Sequence, residues 1–386
     1  MRRMTSGLPS HSTGVVDPPG QTAPAAVPAR PRQPRLGYLD ALRGLAVLMV
    51  LLNHVGEAAV PWLGGFCNET FALGPAAVMI FFACSGFIIP VSLERAGDLR
   101  AFWVSRAMRL YPLYWLSLAL AAVLAGLGRY AYLGPQGPTP GTTWLANATV
   151  MQMFVGQPNV IIVYWTLAWE MLFYILLSVL FVLGIHRRSV MLSTVCNALV
   201  LAVLLAAVVA GRAESLPLGL MALVYMFLGT VWYRWTTGEV SGRVLAGTVG
   251  GAAATVTVFS VVVMRVEGPP DLAGERRWPM LAGWLAGMVI FSLVVYWGSR
   301  GVRMPGVLLY LGIISYSVYL LQAVVLAVFP LSADIPVGVT VAIWLVAAVG
   351  LSALTYRWVE KPAMDLGHRW ARRWRRAPSR PAVVRP

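Results

Sequence analysis

The sequence predicts an all-α polytopic membrane protein of about ten transmembrane helices, and three observations carry that prediction. The 386 residues are 58% hydrophobic and only 12% charged, whereas soluble domains devote about a quarter of their residues to charge. Apolar runs long enough to cross ~30 Å of hydrocarbon as helix recur near 38–57, 73–93, 110–127, 161–185, 190–210, 217–234, 244–264, 280–298, 306–328 and 337–357. Basic residues then alternate between the segments that join these runs, as retention of Lys and Arg on the cytoplasmic side requires.

Taken in order, residues 1–35 are rich in Pro, Ala, Ser and Gly without periodicity and read as a disordered cytoplasmic tail. The run at 38–57 is too long, and too polar at its end, for a cleaved signal peptide, so it is the first span. With the N-terminus inside, twenty-four of the thirty Lys and Arg residues fall in inner segments and five in outer ones, and Arg43 lies within a helix. Both termini are therefore expected in the cytoplasm, with a membrane domain over 36–362 and a basic tail over 363–386. The Arg369–Arg376 stretch, basic and aromatic, reads as a juxtamembrane segment attracted to anionic headgroups. The net charge of +15 then needs no nucleic acid partner. Cys67, Cys84 and Cys196 are widely spaced and indicate neither a disulfide framework nor a metal site. Gly247 with Gly251 and Gly283 with Gly287 have the spacing that lets helices approach closely.

Ionisable residues inside spans are costly, roughly 2.5 to 3.5 kcal/mol at the centre, and mark functional sites. The first span carries Asp40, Arg43, His54 and Glu57. At 100° per residue Arg43 and His54 differ by three turns plus about 20°, so they share a face, with His54 about 16 Å deeper. Alone, Arg43 equally suits an interfacial anchor that snorkels to the headgroups. A cationic mouth leading to a buried imidazole suits an anionic ligand delivered to a base. Glu170 in the fourth span is expected about 13 Å from the outer surface, level with His54, where a carboxylate would orient and stabilise an imidazolium. Glu57, one turn from His54, is its rival. Arg106 and Arg109, three apart, can grip a phosphate or diphosphate, and retention on the cytoplasmic side explains them equally well. Ser85 lacks the G-x-S-x-G elbow of a nucleophile and reads as packing or a substrate contact. Trp165 suits an interfacial aromatic belt.

These pieces resemble acyltransferase family 3, the integral membrane O-acyltransferases, from about 36 to 362. The resemblance rests on Leu39-Asp40-Ala41-Leu42-Arg43-Gly44 leading to His54, and on Phe82–Phe87 and Arg106–Pro112. It extends through Trp165-x-Leu167-x-x-Glu170-x-x-Phe173-Tyr174, Tyr310–Gln322 and Tyr356–Pro362. One departure is Gln322, where the matching block ordinarily ends in His. The resemblance implies a ten-helix enzyme that takes an acyl group from acyl-CoA and esterifies a hydroxyl, often on a sugar, with functional roles for Arg43 and His54. It resembles the stand-alone type, and the Ala, Gly, Arg, Pro and Val bias suggests a high-GC bacterium and an acceptor such as a cell-surface glycan or a glycosylated macrolide. On this reading Arg43, Arg106 and Arg109 hold the phosphates of coenzyme A. His54 acts as general base or through an acyl-imidazole, while Ser315, Tyr316 and Tyr319, with Asp40 and Ser85, line the substrate site. Acyl-CoA is a substrate, and no tightly bound cofactor or metal is expected. The competing class is a sugar or lipid transporter or flippase, which inverted repeats with matched broken helices would favour; the sequence shows none. A lipid-linked glycosyltransferase would require an acidic metal-binding outer loop; Glu267, Asp271 and Glu275 flank Pro-Gly-rich sequence and read as a solvated loop.

Overall fold

The computed structural model describes residues 36–129, 134, 137, 139–213, 216–266, 277–329 and 335–374. The expected tail at 1–35, the acidic loop residues at 267–275 and the chain from 375 onward lie outside them. Among the described residues there are helices and no strands. The helices long and apolar enough to span a membrane are α1 (Gly37–Ala59), α3 (Leu73–Ala96), α4 (Leu99–Gly126), α6 (Tyr164–Val182), α7 (Ser189–Val209), α9 (Gly242–Val266), α10 (Arg277–Ser299), α11 (Gly306–Val328) and α12 (Val337–Thr355). A tenth, α8 (Leu220–Thr236), has 17 residues and packs between α3, α7 and α9. Each expected span has its helix, and the chain is a polytopic all-α membrane protein. Short helices α2 (Pro61–Gly65), α5 (Gly141–Ala148) and α13 (Lys361–Ala371) and single turns at Phe66–Thr70, Gln152–Val155 and Tyr356–Glu360 complete the described elements. Apolar residues such as Val195, Leu199, Val203 and Leu205 of α7 remain exposed, as lipid-facing side chains do when hydrocarbon replaces water outside.

The bundle has a proximal end, where α1 begins, and a distal end. At its centre α1 packs in parallel against α11 and antiparallel against α3. Two glycines permit the first contact: a Cβ on Gly44 would collide with the Leu308 carbonyl, and one on Gly312 with the Asp40 carbonyl. Distally, Val47, Leu51 and Val55 interlock with Ile314, Val318 and Val325. The expected glycine pairs divide. Gly283 and Gly287 approach the carbonyls of Ala72 and Ala76, so α10 packs closely on α3. Gly247 and Gly251 meet nothing within 4 Å, because α9 turns its opposite face, with Ala252, to the core.

Three boundaries differ from expectation, each for a local reason. Helix α4 starts at Leu99, not near 110, because Asp98 caps it by accepting from the backbone N–H groups of Arg100 (2.8 Å) and Ala101 (3.2 Å). Arg106 and Arg109 consequently stand on a helix that begins well before them rather than at the end of a loop. Helix α6 starts at Tyr164 inside the bundle, because the preceding chain has folded back into it. Residues 363–371, expected within the tail, belong to α13. That helix buries Gly367 against Met108 of α4 and Ala371 beside it.

The fold-back of residues 141–163 is a hairpin organised by buried amides. Asn147, fully buried, donates to the carbonyls of Thr143 and Pro158 (both 2.9 Å) and accepts from the N–H of Val160 (3.0 Å). Gln152, also fully buried, donates to Asn159 (2.8 Å). The reversal places Val150 at φ 67°, a strained choice for a β-branched residue. Tyr111, Tyr114 and Trp115, near the middle of α4, donate to the carbonyls of Thr149, Asn147 and Ala148. Irregular backbone at this depth is tolerated because protein satisfies it.

At the proximal end an ion cluster joins α3, α8 and the turns beyond α6 and α8. Arg234, 1% exposed, pairs with Glu94 and, at 3.3 Å, with Glu239. Tyr233 donates to Glu94 (3.0 Å). Burial pushes the His186 imidazole below its ordinary value, although Glu94 lies 3.7 Å away and opposes the effect.

Candidate active site

Two ties set the depth of every site residue. The N–H of Gly74 donates to Asn53 Oδ1 (3.0 Å), and Cys84 is an electrostatic neighbour of Arg43. Positions 53 and 74 therefore share one level, and 43 and 84 another, ten residues or about 15 Å further proximal. His54 belongs to the distal level. Its Nδ1 lies 3.6 Å from Glu57 Oε2, and the pair is 22% and 47% exposed. Asn53 Nδ2 donates to Glu57 Oε1 (2.9 Å), so one side chain links α3 to the carboxylate beside the imidazole. An open cavity of about 670 Å³ lies against Glu57, lined also by Gly56, Pro61, Gly64 and Asn68.

Glu170 belongs to the proximal level. Its Oε1 accepts from Ser85 Oγ (2.8 Å) and from Tyr174 OH (2.6 Å). The expectation that His54 and Glu170 share a depth is not met: they sit about 16 Å apart along the bundle axis. The cause is the hairpin, which carries the chain to the middle of the bundle before α6 begins, where the Tyr164 ring lies 4.4 Å from that of Tyr114. Ser85 is thus a donor to a carboxylate, not a free hydroxyl. Trp165 packs against Phe82 (6.0 Å between ring centres) and Trp169 is buried against Phe154.

The arginines gather beside Glu170. Arg106 spans the rings of Phe102 (5.8 Å) and Tyr174 (6.0 Å), with Arg109 and Glu170 in electrostatic range. Arg109 donates to Met364 Sδ of α13 (3.7 Å). Arg43 has Arg109, Glu360 and Asp40 as charged neighbours. Among the described residues none of these three guanidiniums lies within 4 Å of a carboxylate oxygen. A layer holding three cations, with planar forks suited to phosphate oxygens, can take a polyanion.

Ser315, Tyr316 and Tyr319 are buried and already engaged. Ser315 donates to the Gly312 carbonyl (2.9 Å), Tyr316 to the Leu110 carbonyl (2.8 Å), and Tyr319 meets Thr166 Oγ1 (3.0 Å). The two tyrosines tie α11 to α4 and α6. Gln322 is buried and donates to the Tyr319 carbonyl (3.3 Å). Sequence reasoning missed Asn53, Tyr174 and Glu360 as members of these layers. The spacing of four between Asn53 and Glu57, and between Glu170 and Tyr174, is a helical-neighbour signal that was available.

An acyltransferase-domain family profile matches residues 36–357 of the chain. An acyltransferase of Streptomyces mycarofaciens, MdmB, is 28% identical over 155 residues, 38% of this chain and 39% of that protein. An exopolysaccharide production protein of Rhizobium meliloti, ExoZ, is 27% identical over 328 residues, 77% of this chain and 92% of that protein. Nodulation protein 10 of Rhizobium leguminosarum is 28% identical over 169 residues, 39% of this chain and 44% of that protein. The alignment therefore spans well under half of the Streptomyces relative and nearly all of the exopolysaccharide protein.

Proposed function

The chain belongs to the acyltransferase-domain family, and from that premise we propose that it moves an acyl group from acyl-CoA to a hydroxyl of a sugar-containing acceptor. The observation that carries this reading is the separation of two polar layers, arginines at one level and an imidazole–carboxylate pair about 16 Å distal to it. Coenzyme A has its charge at one end and its thioester at the other. The arm between them, roughly twelve bonds, extends as far as about four residues of chain, roughly 14 Å. Phosphates held by Arg43, Arg106 and Arg109 would bring the thioester carbonyl to His54.

The chemistry then needs one base. With Nδ1 turned to Glu57, His54 Nε2 takes the proton from the acceptor hydroxyl as its oxygen attacks the thioester carbonyl, and the C–S bond breaks to release the CoA thiolate. Glu57 stabilises the imidazolium formed. Because acyl-CoA is made in the cytosol, the proximal end, where α1 begins, faces the cytoplasm on this reading, which makes both termini cytoplasmic. The printed role of one relative in exopolysaccharide production supports a glycan acceptor, and a glycosylated small molecule such as a macrolide offers the same hydroxyl chemistry. In detergent-purified protein, His54→Ala should lower acceptor-dependent thiol release from acyl-CoA by 10² to 10⁴-fold with unchanged accumulation. Activity equal to wild type would overturn the assignment of the base.

A further inference from the structure

Glu360 is the half-used carboxylate of the arginine layer. It ends a widened helical turn, Tyr356–Glu360, that arises where Pro362 lacks an N–H and crowds the carbonyl four residues before it. This turn swings Glu360 inward, where it is 1% exposed. Its Oε2 accepts from Ser317 Oγ (2.9 Å), while its Oε1 is enclosed and has no hydrogen-bond partner among the described residues. Its charged neighbours are Arg109 and Arg43, on two other helices, and neither closes an ion pair with it.

The layer is therefore electrostatically unfinished. Arg43 and Arg109 repel each other, as do Arg106 and Arg109. Glu170 already accepts two hydroxyl hydrogens, and Asp40 is a charged neighbour of Arg43. A buried carboxylate with one neutral donor and an orphaned oxygen is costly by itself and is sustained by cations at a distance.

We propose that Glu360 is the resident counter-charge of Arg43 and Arg109, a positioning residue that offsets their repulsion in the empty site and competes with the phosphates of the donor. The inference rests on the acyl-CoA reading and deepens it: Glu360 sets donor affinity low enough for product CoA to leave.

Glu360→Gln keeps an oxygen for Ser317 and removes the charge. The test measures CoA binding to detergent-purified full-length protein by calorimetry, beside steady-state kinetics. In Glu360→Gln, CoA should bind about tenfold more tightly, the KM for acyl-CoA should fall, and kcat should fall as CoA release slows. A merely structural role would not lower Kd and kcat together. The gain should vanish in the Arg109→Gln background, which shows coupling between the two positions. Should Glu360→Gln not accumulate, Glu360→Asp, whose charge is withdrawn by one methylene, decides by the same binding measurement with a smaller shift in the same direction. Wild type that binds CoA while the variant binds it equally or more weakly overturns the counter-charge alone. Wild type that binds neither CoA nor inorganic pyrophosphate overturns the donor reading and this inference with it.

Discussion

At the scale of single residues, the carboxylate against His54 is Glu57, held in turn by Asn53 and through it by the backbone of α3. An imidazole whose Nδ1 faces a carboxylate presents Nε2 to substrate and is stabilised when protonated. Glu57→Gln keeps the hydrogen bond from Asn53 and removes that stabilisation. Acyl transfer should then lose on the order of ten- to a hundredfold in kcat with an unchanged KM for the donor. A selective rise in KM would instead place Glu57 in donor binding. Arg43 and His54 on one face of α1 were legible because a helix repeats every 3.6 residues. The partners were not, because Ser85 with Glu170 and Ser317 with Glu360 join positions 85 and 43 residues apart.

At the scale of elements, the hairpin over 141–163 decides how deep α6 begins, and Asn147 decides whether the hairpin holds. Its carboxamide satisfies the carbonyls of Thr143 and Pro158 and the N–H of Val160. Asn147→Ala would leave the part-buried Pro158 carbonyl and the buried Val160 N–H without their protein partner, at about 1–3 kcal/mol for the buried group. The melting temperature of the purified protein should drop by several degrees, with acyl transfer falling as Glu170 loses its place. A melting curve like that of wild type would show that water enters to replace the amide. Composition does not distinguish this segment from an ordinary polar connection ahead of a span, since Gly, Pro, Thr and Asn mark surface loops equally well. Only the mid-helix donors Tyr111, Tyr114 and Trp115 of α4 show that it folds back along the middle of that helix.

At the scale of the whole molecule, ten helices in alternation predict termini on one side. A reporter active only in the cytoplasm should signal when fused at either terminus and stay silent when inserted after Arg212, between α7 and α8; signal from all three positions would break the alternation. Some of the charge behind this prediction also has a structural task, since Arg234 is buried in an ion cluster with Glu94 and Glu239. The sequence by itself determined the number of spans, their limits to within a few residues for most, and the alternation of charge. Apolar length and basic residues act locally against the bilayer, whatever the rest of the chain does. Only the tertiary structure decided that the arginines and Glu170 form one layer and His54 with Glu57 another. Depth depends on where each helix begins, and a chain that folds back before α6 shifts every residue after it relative to its neighbours.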